Sequence, residues 1–209
     1  MKGAFLEQRS APSPTLDFWY EFASTYSYPA AMRIEALAAK RGVALRWRPF
    51  LLGPLFAESG WRDSPFNIYP VKGCYMWRDL ERICASLALP LVRPAPFPQN
   101  SLLAARVALA LDEALRPAFS RAVYAAEFGR GGAIAERQTI AALLADVGAD
   151  AQGVLAGAES TQNKAALKAA CEEAKALGLP GAPCFVTKGG EVFWGNDRLE
   201  AALDWALRG

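Results

Sequence analysis

The chain contains no histidine among its 209 residues. Imidazole is the general base of serine-hydrolase triads, a common zinc ligand and the side chain that most often transfers protons in enzymes. Its absence excludes a Ser-His-Asp hydrolase and any metal site built on imidazole. We therefore predict that the protein holds no metal.

Cysteine is scarce, and its four positions show no paired spacing: Cys74, Cys84, Cys171 and Cys184. A thioredoxin-type redox protein carries Cys-x-x-Cys where its first strand runs into a helix, and no such pair occurs in this sequence. We expect four reduced, buried thiols, and neither a structural disulfide nor a four-cysteine metal site.

Long apolar runs are also missing, and the formal net charge is only +2. No segment therefore predicts a membrane span, and nothing in the charge suggests a nucleic-acid or acidic-membrane partner. Residues 1–14 mix charged residues with prolines and lack the apolar block of a secretory signal. We predict a flexible leader there and a cytoplasmic location for the protein.

What the sequence does contain begins with a strand that runs into a helix. From residue 16 to residue 22 every second residue is apolar, a period-two pattern that predicts a strand. Apolar residues then recur at helical spacing from Tyr28 until Gly42, which predicts a helix. Residues 43–48 alternate again and predict a second strand with a polar outer face. We expect these strands to pair in parallel, with the helix as their crossover.

The middle of the chain predicts a loop followed by helices. Residues 51–72 contain two glycines and three prolines, which predict a long irregular loop with a functional role. Periodicity predicts five helices, over residues 75–87, 101–115, 118–128, 137–147 and 161–177. No segment between residues 73 and 177 predicts a strand.

The chain returns to strands near its end. Residues 184–187 and 192–194 predict a hairpin about a Lys-Gly-Gly-Glu turn. A closing helix follows, and Asp197 with Glu200 matches the capping-box pattern at its start.

The order of these elements predicts an α/β protein with a thioredoxin fold, β-α-β followed later by β-β-α. Residues 15–50 and 178–209 are assigned to the thioredoxin-like domain. Residues 51–177 are assigned to the loop and an all-helical insertion domain that interrupts this fold.

The junction between the first strand and helix carries Ser24-x-x-Ser27 where a redox protein has its cysteines. A helix N-terminus presents free N–H groups and partial positive charge, which stabilise a thiolate. Because the chain supplies no sulfur at this point, the site is suited to a sulfur that a ligand brings. The alternative role for Ser24 is a plain helix N-cap.

Gly181-Ala182-Pro183 precedes the third strand. In a thioredoxin fold we expect Pro183 to have a cis peptide bond and to face the start of the first helix. The alternative is an ordinary proline at the start of an edge strand. Cys184 follows directly, and we predict a buried core thiol there rather than a redox group.

Three segments resemble the 2-hydroxychromene-2-carboxylate isomerases, relatives of the kappa-class glutathione transferases and, more distantly, of the DsbA oxidoreductases. These segments are Ser-Thr-Tyr-Ser-Tyr at 24–28, Gly-Ala-Pro at 181–183 and Phe-Trp-Gly-Asn-Asp-Arg-Leu at 193–199. Residues 64–82 are similar to that family too, so the resemblance spans residues 15–208. Two features depart from the family pattern: Thr25 replaces a proline, and the loop before Pro65 differs in length from that of the kappa transferases.

The resemblance implies glutathione as the cofactor and assigns residues to it. Ser24 matches the family serine whose hydroxyl hydrogen-bonds the glutathione sulfur. Asn196 and Asp197 match positions that hold the γ-glutamyl end, although helix capping is their alternative role. Ala182, before the expected cis-Pro183, would offer its backbone N–H and C=O groups to the cysteinyl portion.

Residues of the middle segment are assigned to the rest of the pocket. Lys72 is the candidate partner for the glycine carboxylate of glutathione, its alternative being a solvated lysine. Asn67, Tyr69 and Trp77 are expected to line the wall beyond the thiol, with structural packing as the alternative. Arg78 is expected to attract the carboxylate of an organic substrate, with a surface ion pair as the alternative.

The activity that the resemblance implies is glutathione-dependent isomerisation of 2-hydroxychromene-2-carboxylate to trans-o-hydroxybenzylidenepyruvate, or of a related aromatic catabolite from naphthalene-type degradation. The alternatives are a kappa-like glutathione transferase or peroxidase, a DsbA-like non-redox peptide-binding protein, and a non-catalytic sensor of aromatic acids. The expected partners are glutathione and a small aromatic acid, and a homodimer is the family expectation.

Overall fold

The structure of the protein is a computed structural model, and it describes residues 14–208. Residues 1–13 of the expected leader lie outside this range. Pro14, the last leader residue, already takes part in the fold, because its carbonyl accepts a hydrogen bond of 2.8 Å from the amide of Ala44.

Four strands and ten α-helices are present between residues 14 and 208. The strands are β1 (Thr15–Tyr20), β2 (Ala44–Pro49), β3 (Cys184–Thr187) and β4 (Val192–Trp194). The helices are α1 (Ser27–Arg41), α2 (Leu52–Glu58), α3 (Pro65–Ile68), α4 (Pro70–Ser86), α5 (Leu102–Ala110), α6 (Arg116–Arg130), α7 (Arg137–Asp146), α8 (Ala151–Ala158), α9 (Thr161–Ala176) and α10 (Leu199–Ala206), with a short 3₁₀ helix at Asn196–Arg198 before the last.

The strands form one mixed sheet in the order β2-β1-β3-β4. β1 pairs in parallel with β2 and antiparallel with β3, and β3 pairs antiparallel with β4. Helices α2 to α9 all fall between β2 and β3 in the chain. The predicted thioredoxin fold, interrupted by helices, is therefore confirmed.

Strand β1 is the second strand of the sheet and is buried on both faces. Five of its six residues are buried, so the alternation in its sequence does not separate a wet face from a dry one. Asp17 pairs with the guanidinium of Arg46 on β2. Trp19, on the same face, is fully buried and packs edge-on against Phe50, with ring centroids 5.9 Å apart.

The opposite face of β1 carries an aromatic core. The Phe18 ring stacks on Phe185 of β3 at 5.5 Å and meets Trp47 of β2 edge-on at 4.9 Å. Next along the strand, Tyr20 donates or accepts a hydrogen bond of 2.8 Å with the hydroxyl of Ser120 on α6. The sheet and the inserted helices thus share one hydrophobic core.

The predicted irregular loop over residues 51–72 is wrong, because two short helices and the start of α4 lie within it. Pro65 and Pro70 open α3 and α4 instead of breaking them. The first helical turn tolerates proline, since its missing N–H has no partner there anyway. Ser64 caps α3 by accepting a hydrogen bond of 3.3 Å from the amide of Phe66.

Most of the other predicted helices match the structure to within a few residues, but two predictions fail. The helix predicted over 101–115 ends at Ala110, and Leu111 has an extended backbone. Helix α8 was not predicted at all. The feature of the sequence that indicates this helix is Asp150, whose side chain caps it by accepting a hydrogen bond of 3.1 Å from the amide of Gly153.

Helix α10 and its C-cap residue offer a matched pair of leucines for testing which side of the helix packs in the core. Leu203 is completely buried, whereas Leu207, one turn later, is 50% exposed. We expect Leu203→Ala to lower the free energy of unfolding by about 2–5 kcal/mol, because it leaves a cavity. Leu207→Ala should cost about 0.5 kcal/mol or less. Urea unfolding of both variants gives the comparison, and equal losses would contradict this packing.

Candidate functional site

A cavity of about 930 Å³ opens where β1 runs into α1. Its walls come from residues within 21–26, 51–66, 97–102, 180–182 and 194–197, together with Lys72, Asp79 and Ile83. These segments are far apart in the chain, and the sheet and the inserted helices bring them together. The lining includes Ser24, Lys72, Ala182, Asn196 and Asp197 of the predicted site.

Ser24 lies in the turn between β1 and α1. Its hydroxyl donates a hydrogen bond of 2.9 Å to the backbone carbonyl of Ala182. It does not act as the predicted alternative, a side-chain N-cap, because Tyr26 is the cap residue of α1 and makes no side-chain capping bond. The neighbouring Thr25 hydroxyl turns away and donates to the sulfur of Met76 at 3.1 Å.

The Ala182–Pro183 peptide bond is cis, as predicted. Ala182 is part of the cavity wall, whereas Pro183 is buried and is not among the lining residues. The Pro183 carbonyl accepts a hydrogen bond of 2.9 Å from the amide of Gly195. This bond joins the cis turn to the segment that carries Asn196 and Asp197.

Cys184 is a core thiol, as predicted. It is fully buried, its thiol donates to the carbonyl of Gly181 at 3.1 Å, and burial raises its pKa to about 12. Such a thiol is protonated and unreactive at neutral pH. All four cysteines are free, but Cys74 is exposed on α4, so the prediction that every thiol is buried is wrong there.

Asn196 and Asp197 form one rim of the cavity, and neither caps α10. The predicted capping box is absent from this helix, because Glu200 pairs with Arg33 at 3.1 Å instead. Arg33 also donates to the backbone carbonyl of Asn196 at 2.7 Å, which fixes the rim against α1. The Asp197 carboxylate is 70% exposed and lies 3.2 Å from the guanidinium of Arg198.

Two of the predicted pocket residues, Asn67 and Trp77, lie outside the cavity lining and support it from behind. The Asn67 amide donates to the carboxylate of Asp63 and, at 3.2 Å, to the carbonyl of Phe97. The Trp77 ring is buried and meets the Phe97 ring edge-on at 4.8 Å. Phe97 itself lines the cavity, so Asn67 and Trp77 contact a residue of the wall without lining the cavity themselves.

Tyr69 and Arg78, the other predicted pocket residues, also lie outside the lining. Tyr69 is 43% exposed, and its ring lies 4.7 Å from the ammonium of Lys72. Arg78 pairs with Glu81 one helical turn away at 2.7 Å, which is the surface ion pair given as its alternative. Among the described residues, the cations that line the cavity are Lys72 and Arg62, and sequence reasoning missed Arg62.

Sequence reasoning also missed Glu21, which lines the cavity although it is only 5% exposed. Its carboxylate accepts a short hydrogen bond from the hydroxyl of Ser101. Burial raises its pKa to about 7, while hydrogen bonds from Ser101 and from the backbone of Ala23 act in the opposite direction. The signal in the sequence was an acid placed directly after the aromatic run 18–20 and three residues before Ser24.

A second buried acid, Glu127 on α6, lies close enough to Glu21 for their charges to interact. Glu127 is fully buried, and neither of its carboxylate oxygens has a hydrogen-bond partner among the described residues. Burial and, secondarily, the charge of Glu21 raise its pKa well above the ordinary value. The hydroxyl of Tyr124, also on α6, donates to the backbone carbonyl of Glu21 at 2.9 Å.

No helix between residues 14 and 208 is both long and apolar enough to cross a membrane. In the same part of the chain, no group of three or more histidine, cysteine, aspartate or glutamate side chains is arranged to hold a metal ion.

Comparison with known proteins gives consistent matches over nearly the whole chain. Residues 15–205 match the DSBA-like thioredoxin domain. The chain is 31% identical to a 2-hydroxychromene-2-carboxylate isomerase from Sphingobium xenophagum, over 92% of this chain and 98% of that protein. It is 29% identical to glutathione S-transferase kappa 1 of Homo sapiens, over 89% and 88% of the two chains. A solved 2-hydroxychromene-2-carboxylate isomerase structure superposes with a TM-score of 0.82 at 27% identity, covering 93% of this chain and 96% of that one.

The sheet order, the cis turn and the domain match define the class of this protein as a DSBA-like thioredoxin-domain protein. Within that class, the chain belongs to the 2-hydroxychromene-2-carboxylate isomerase family, with the kappa-class glutathione transferases as further relatives. The predicted family is therefore confirmed. The names of these relatives support an isomerase or a glutathione-related function.

The buried position of Glu127 predicts how stability depends on pH. Because its pKa is raised in the folded protein, the unfolded chain ionises first as the pH rises above the ordinary glutamate value. The free energy of unfolding should therefore fall as the pH rises above the ordinary glutamate pKa of about 4.3, by up to about 1.4 kcal/mol per pH unit for each such group. Glu127→Gln should remove much of this slope in urea titrations. Glu136→Gln, at an exposed position, should leave the slope intact, and equal effects would contradict the assignment.

The backbone conformation of Gly195, at the cavity rim, should make its substitution destabilising. Its φ of 109° disfavours any other residue, and an added Cβ would lie 2.6 Å from the carboxylate of Asp197. We expect Gly195→Ala to lower the free energy of unfolding by about 1–3 kcal/mol. Gly53, also on the cavity wall, has an ordinary φ and open space beside it, so Gly53→Ala should cost nothing. Thermal or urea unfolding compares the two, and a stable Gly195→Ala variant would contradict the strain argument.

Proposed function

We propose that this protein is a glutathione-dependent isomerase that converts 2-hydroxychromene-2-carboxylate, or a related aromatic catabolite, to the open trans-benzylidenepyruvate form. The observation that carries the proposal is the Ser24 hydroxyl, which lies on the wall of a large cavity at the start of α1 and 2.9 Å from the carbonyl of Ala182. The relatives named 2-hydroxychromene-2-carboxylate isomerase support the same reaction.

The first role proposed for Ser24 is to stabilise the glutathione sulfur as a thiolate. A hydroxyl has one hydrogen to donate, so on binding Ser24 would exchange the Ala182 carbonyl for the sulfur. A hydrogen bond and the partial positive charge of a helix N-terminus both favour the charged form of a thiol. An ordinary thiol has a pKa of about 8.5, so modest help makes much of it anionic at neutral pH.

The remaining parts of glutathione are assigned to the polar groups around Ser24. Asp197 is proposed to pair with the γ-glutamyl ammonium, and the exposed Asp197 carboxylate on the rim supports this role, with Asn196 beside it. The backbone of Ala182 is proposed to bind the cysteinyl portion. Lys72 is proposed to bind the glycine carboxylate, and Arg62 is left to attract the carboxylate of the organic substrate.

The chemistry proposed for this site needs only a nucleophile that can leave again. When bound beside Ser24, glutathione would supply a nucleophile that adds reversibly to the β-carbon of the cis enone formed by opening of the cyclic hemiketal. The former double bond could then rotate as a single bond before the trans double bond forms, and glutathione would be regenerated. Covalent catalysis of this kind divides a hindered rotation into easier steps.

A kappa-like glutathione transferase or peroxidase is the second candidate, and the similarity to the human and Caenorhabditis elegans kappa 1 transferases supports it. The same thiolate would then attack an electrophile and stay attached or become oxidised. The two functions differ in whether glutathione is regenerated or consumed. A DsbA-like binding protein without redox chemistry is a weaker candidate, because the cavity would then hold a peptide and have no need of glutathione.

We also propose that the protein is a cytoplasmic homodimer. The outer face of α3 and α4 supports the dimer, because Ile68, Val71 and Tyr75 are 40%, 84% and 63% exposed there. Apolar side chains that are clustered and exposed in this way commonly mark an interface with another protein.

The decisive experiment follows the absorbance of 2-hydroxychromene-2-carboxylate with enzyme, with and without catalytic glutathione. We expect conversion that requires glutathione and does not consume it. Ser24→Ala should lower the rate about tenfold to hundredfold, because a hydrogen bond to a charged group is worth about 1.5–3 kcal/mol.

The control variant is Ser86→Ala, which removes an exposed hydroxyl on α4 that bonds only its own helix backbone. It should keep the wild-type rate. Folded wild-type enzyme that binds glutathione but converts no substrate would contradict the isomerase proposal, and steady loss of glutathione would favour the transferase.

A further inference from the structure

Glu21 is a buried carboxyl group on the wall of the cavity, and the proposed thiolate chemistry gives it no role. It lies in the same turn as Ser24, whose amide donates to the Glu21 carbonyl at 3.1 Å. Both residues line the cavity. The Ser101 hydroxyl that hydrogen-bonds the Glu21 carboxylate belongs to another lining residue, so the buried carboxyl group lies next to the cavity wall. An acid in that position is well placed to exchange a proton with a molecule bound in the cavity.

The surroundings of Glu21 favour its neutral form while leaving it able to ionise. Ser101, before α5, donates a hydrogen bond to the carboxylate. The titratable groups that face Glu21 are Tyr124 and Glu127 on α6 and Cys171 on α9, and the interaction of each with Glu21 raises its own pKa. No cation acts on Glu21 among these contacts. Its proton is therefore held by burial rather than removed by a neighbouring positive charge.

We propose that Glu21 is the acid–base residue of the isomerisation, giving a proton to the carbonyl oxygen of the conjugated substrate and later taking it back. The proposal rests on the proposed function, since it concerns the same cavity and the same enone chemistry.

Each step balances without a further reactant. The thiolate forms a carbon–sulfur bond with the β-carbon, and the electron pair of the double bond moves to make an enolate. The Glu21 carboxyl transfers its proton to the enolate oxygen, which gives a neutral enol and a carboxylate. After rotation the carboxylate removes that proton, the double bond re-forms and the carbon–sulfur bond breaks. Thiolate and protonated Glu21 are both restored.

This role fixes the shape of the pH profile. Glu21 must be protonated when the thiolate adds, so the rate falls as the pH rises through the pKa of about 7. The rate also falls at low pH, where the glutathione thiol is protonated. A bell-shaped profile follows, and its alkaline limb belongs to Glu21.

The test measures kcat, KM and glutathione affinity for wild type and Glu21→Gln. We expect kcat to fall about a hundredfold, because general acid–base catalysis typically contributes that much or more. Glutathione affinity by calorimetry should stay within about threefold, since the variant removes no group assigned to glutathione. The alkaline limb of the profile should disappear. Unchanged kcat, or an alkaline limb that persists in Glu21→Gln, would overturn the proposal.

Two further variants separate proton transfer from a structural effect. Glu127→Gln changes an equally buried acid that lies outside the cavity lining, and it should keep a near-wild-type kcat. An equal loss in both glutamine variants would mean that the effect is structural. Ser101→Ala removes a hydrogen bond that lowers the pKa of Glu21, so it should move the alkaline limb to higher pH. If Glu21→Gln does not fold, the shift of the alkaline limb in Ser101→Ala tests the role of Glu21 instead, and an unshifted limb would overturn it.

A second electrophile distinguishes failure of the isomerase proposal from failure of the role proposed for Glu21. Addition of glutathione to trans-4-phenyl-3-buten-2-one, a simple conjugated ketone, needs the same proton at the same carbonyl oxygen but no isomerisation. If wild type leaves 2-hydroxychromene-2-carboxylate unchanged yet accelerates this addition, the isomerase proposal fails and Glu21→Gln still tests the proton transfer. Equal rates of this addition in wild type and Glu21→Gln would overturn the role of Glu21 whatever the natural substrate.

Discussion

The antiparallel pairing of β1 with β3 is the interaction on which the rest of the structure depends. Its register places Trp19 opposite Cys184, so the chain leaving β1 and the chain entering β3 lie side by side at one end of the sheet. Residues that are 158 positions apart then share a hydrogen bond between the Ser24 hydroxyl and the Ala182 carbonyl. The cavity exists because the inserted helices cover this end of the sheet without filling it.

The features that could be predicted from the sequence are those with a local signal. Period-two patterns and turn residues gave the strands, and helical periodicity gave most of the helices, because these signals are local. The position of Ser24 on the cavity wall could be expected from the sequence, because its serines stand where a thioredoxin-type redox protein carries Cys-x-x-Cys. Proline misled the prediction over 51–72, because a proline that starts a helix and one that breaks it look the same in sequence.

The residues that were misassigned or missed depend on long-range packing. Arg78 and Trp77 have the chemistry of pocket residues, but an ion pair and an aromatic contact direct both away from the cavity. Glu21 looked like one polar position in an alternating strand. Its burial comes from Ser101 and α6, which the sequence cannot place beside it. A buried acid of this kind lowers stability above its ordinary pKa, a cost that proteins commonly accept at functional sites.

The walls of the cavity differ in how firmly they are built. Ser24 follows β1 and Ala182 precedes β3, and a hydrogen bond joins the two residues. Much of the opposite wall comes instead from short helices and connections within 51–66 and 97–102. Substitutions in these connections can reshape the cavity while the positions of Ser24 and Ala182 stay fixed. Proteins with this fold can therefore keep the groups around Ser24 unchanged, while sequence changes in the opposite wall alter which molecules the cavity accepts.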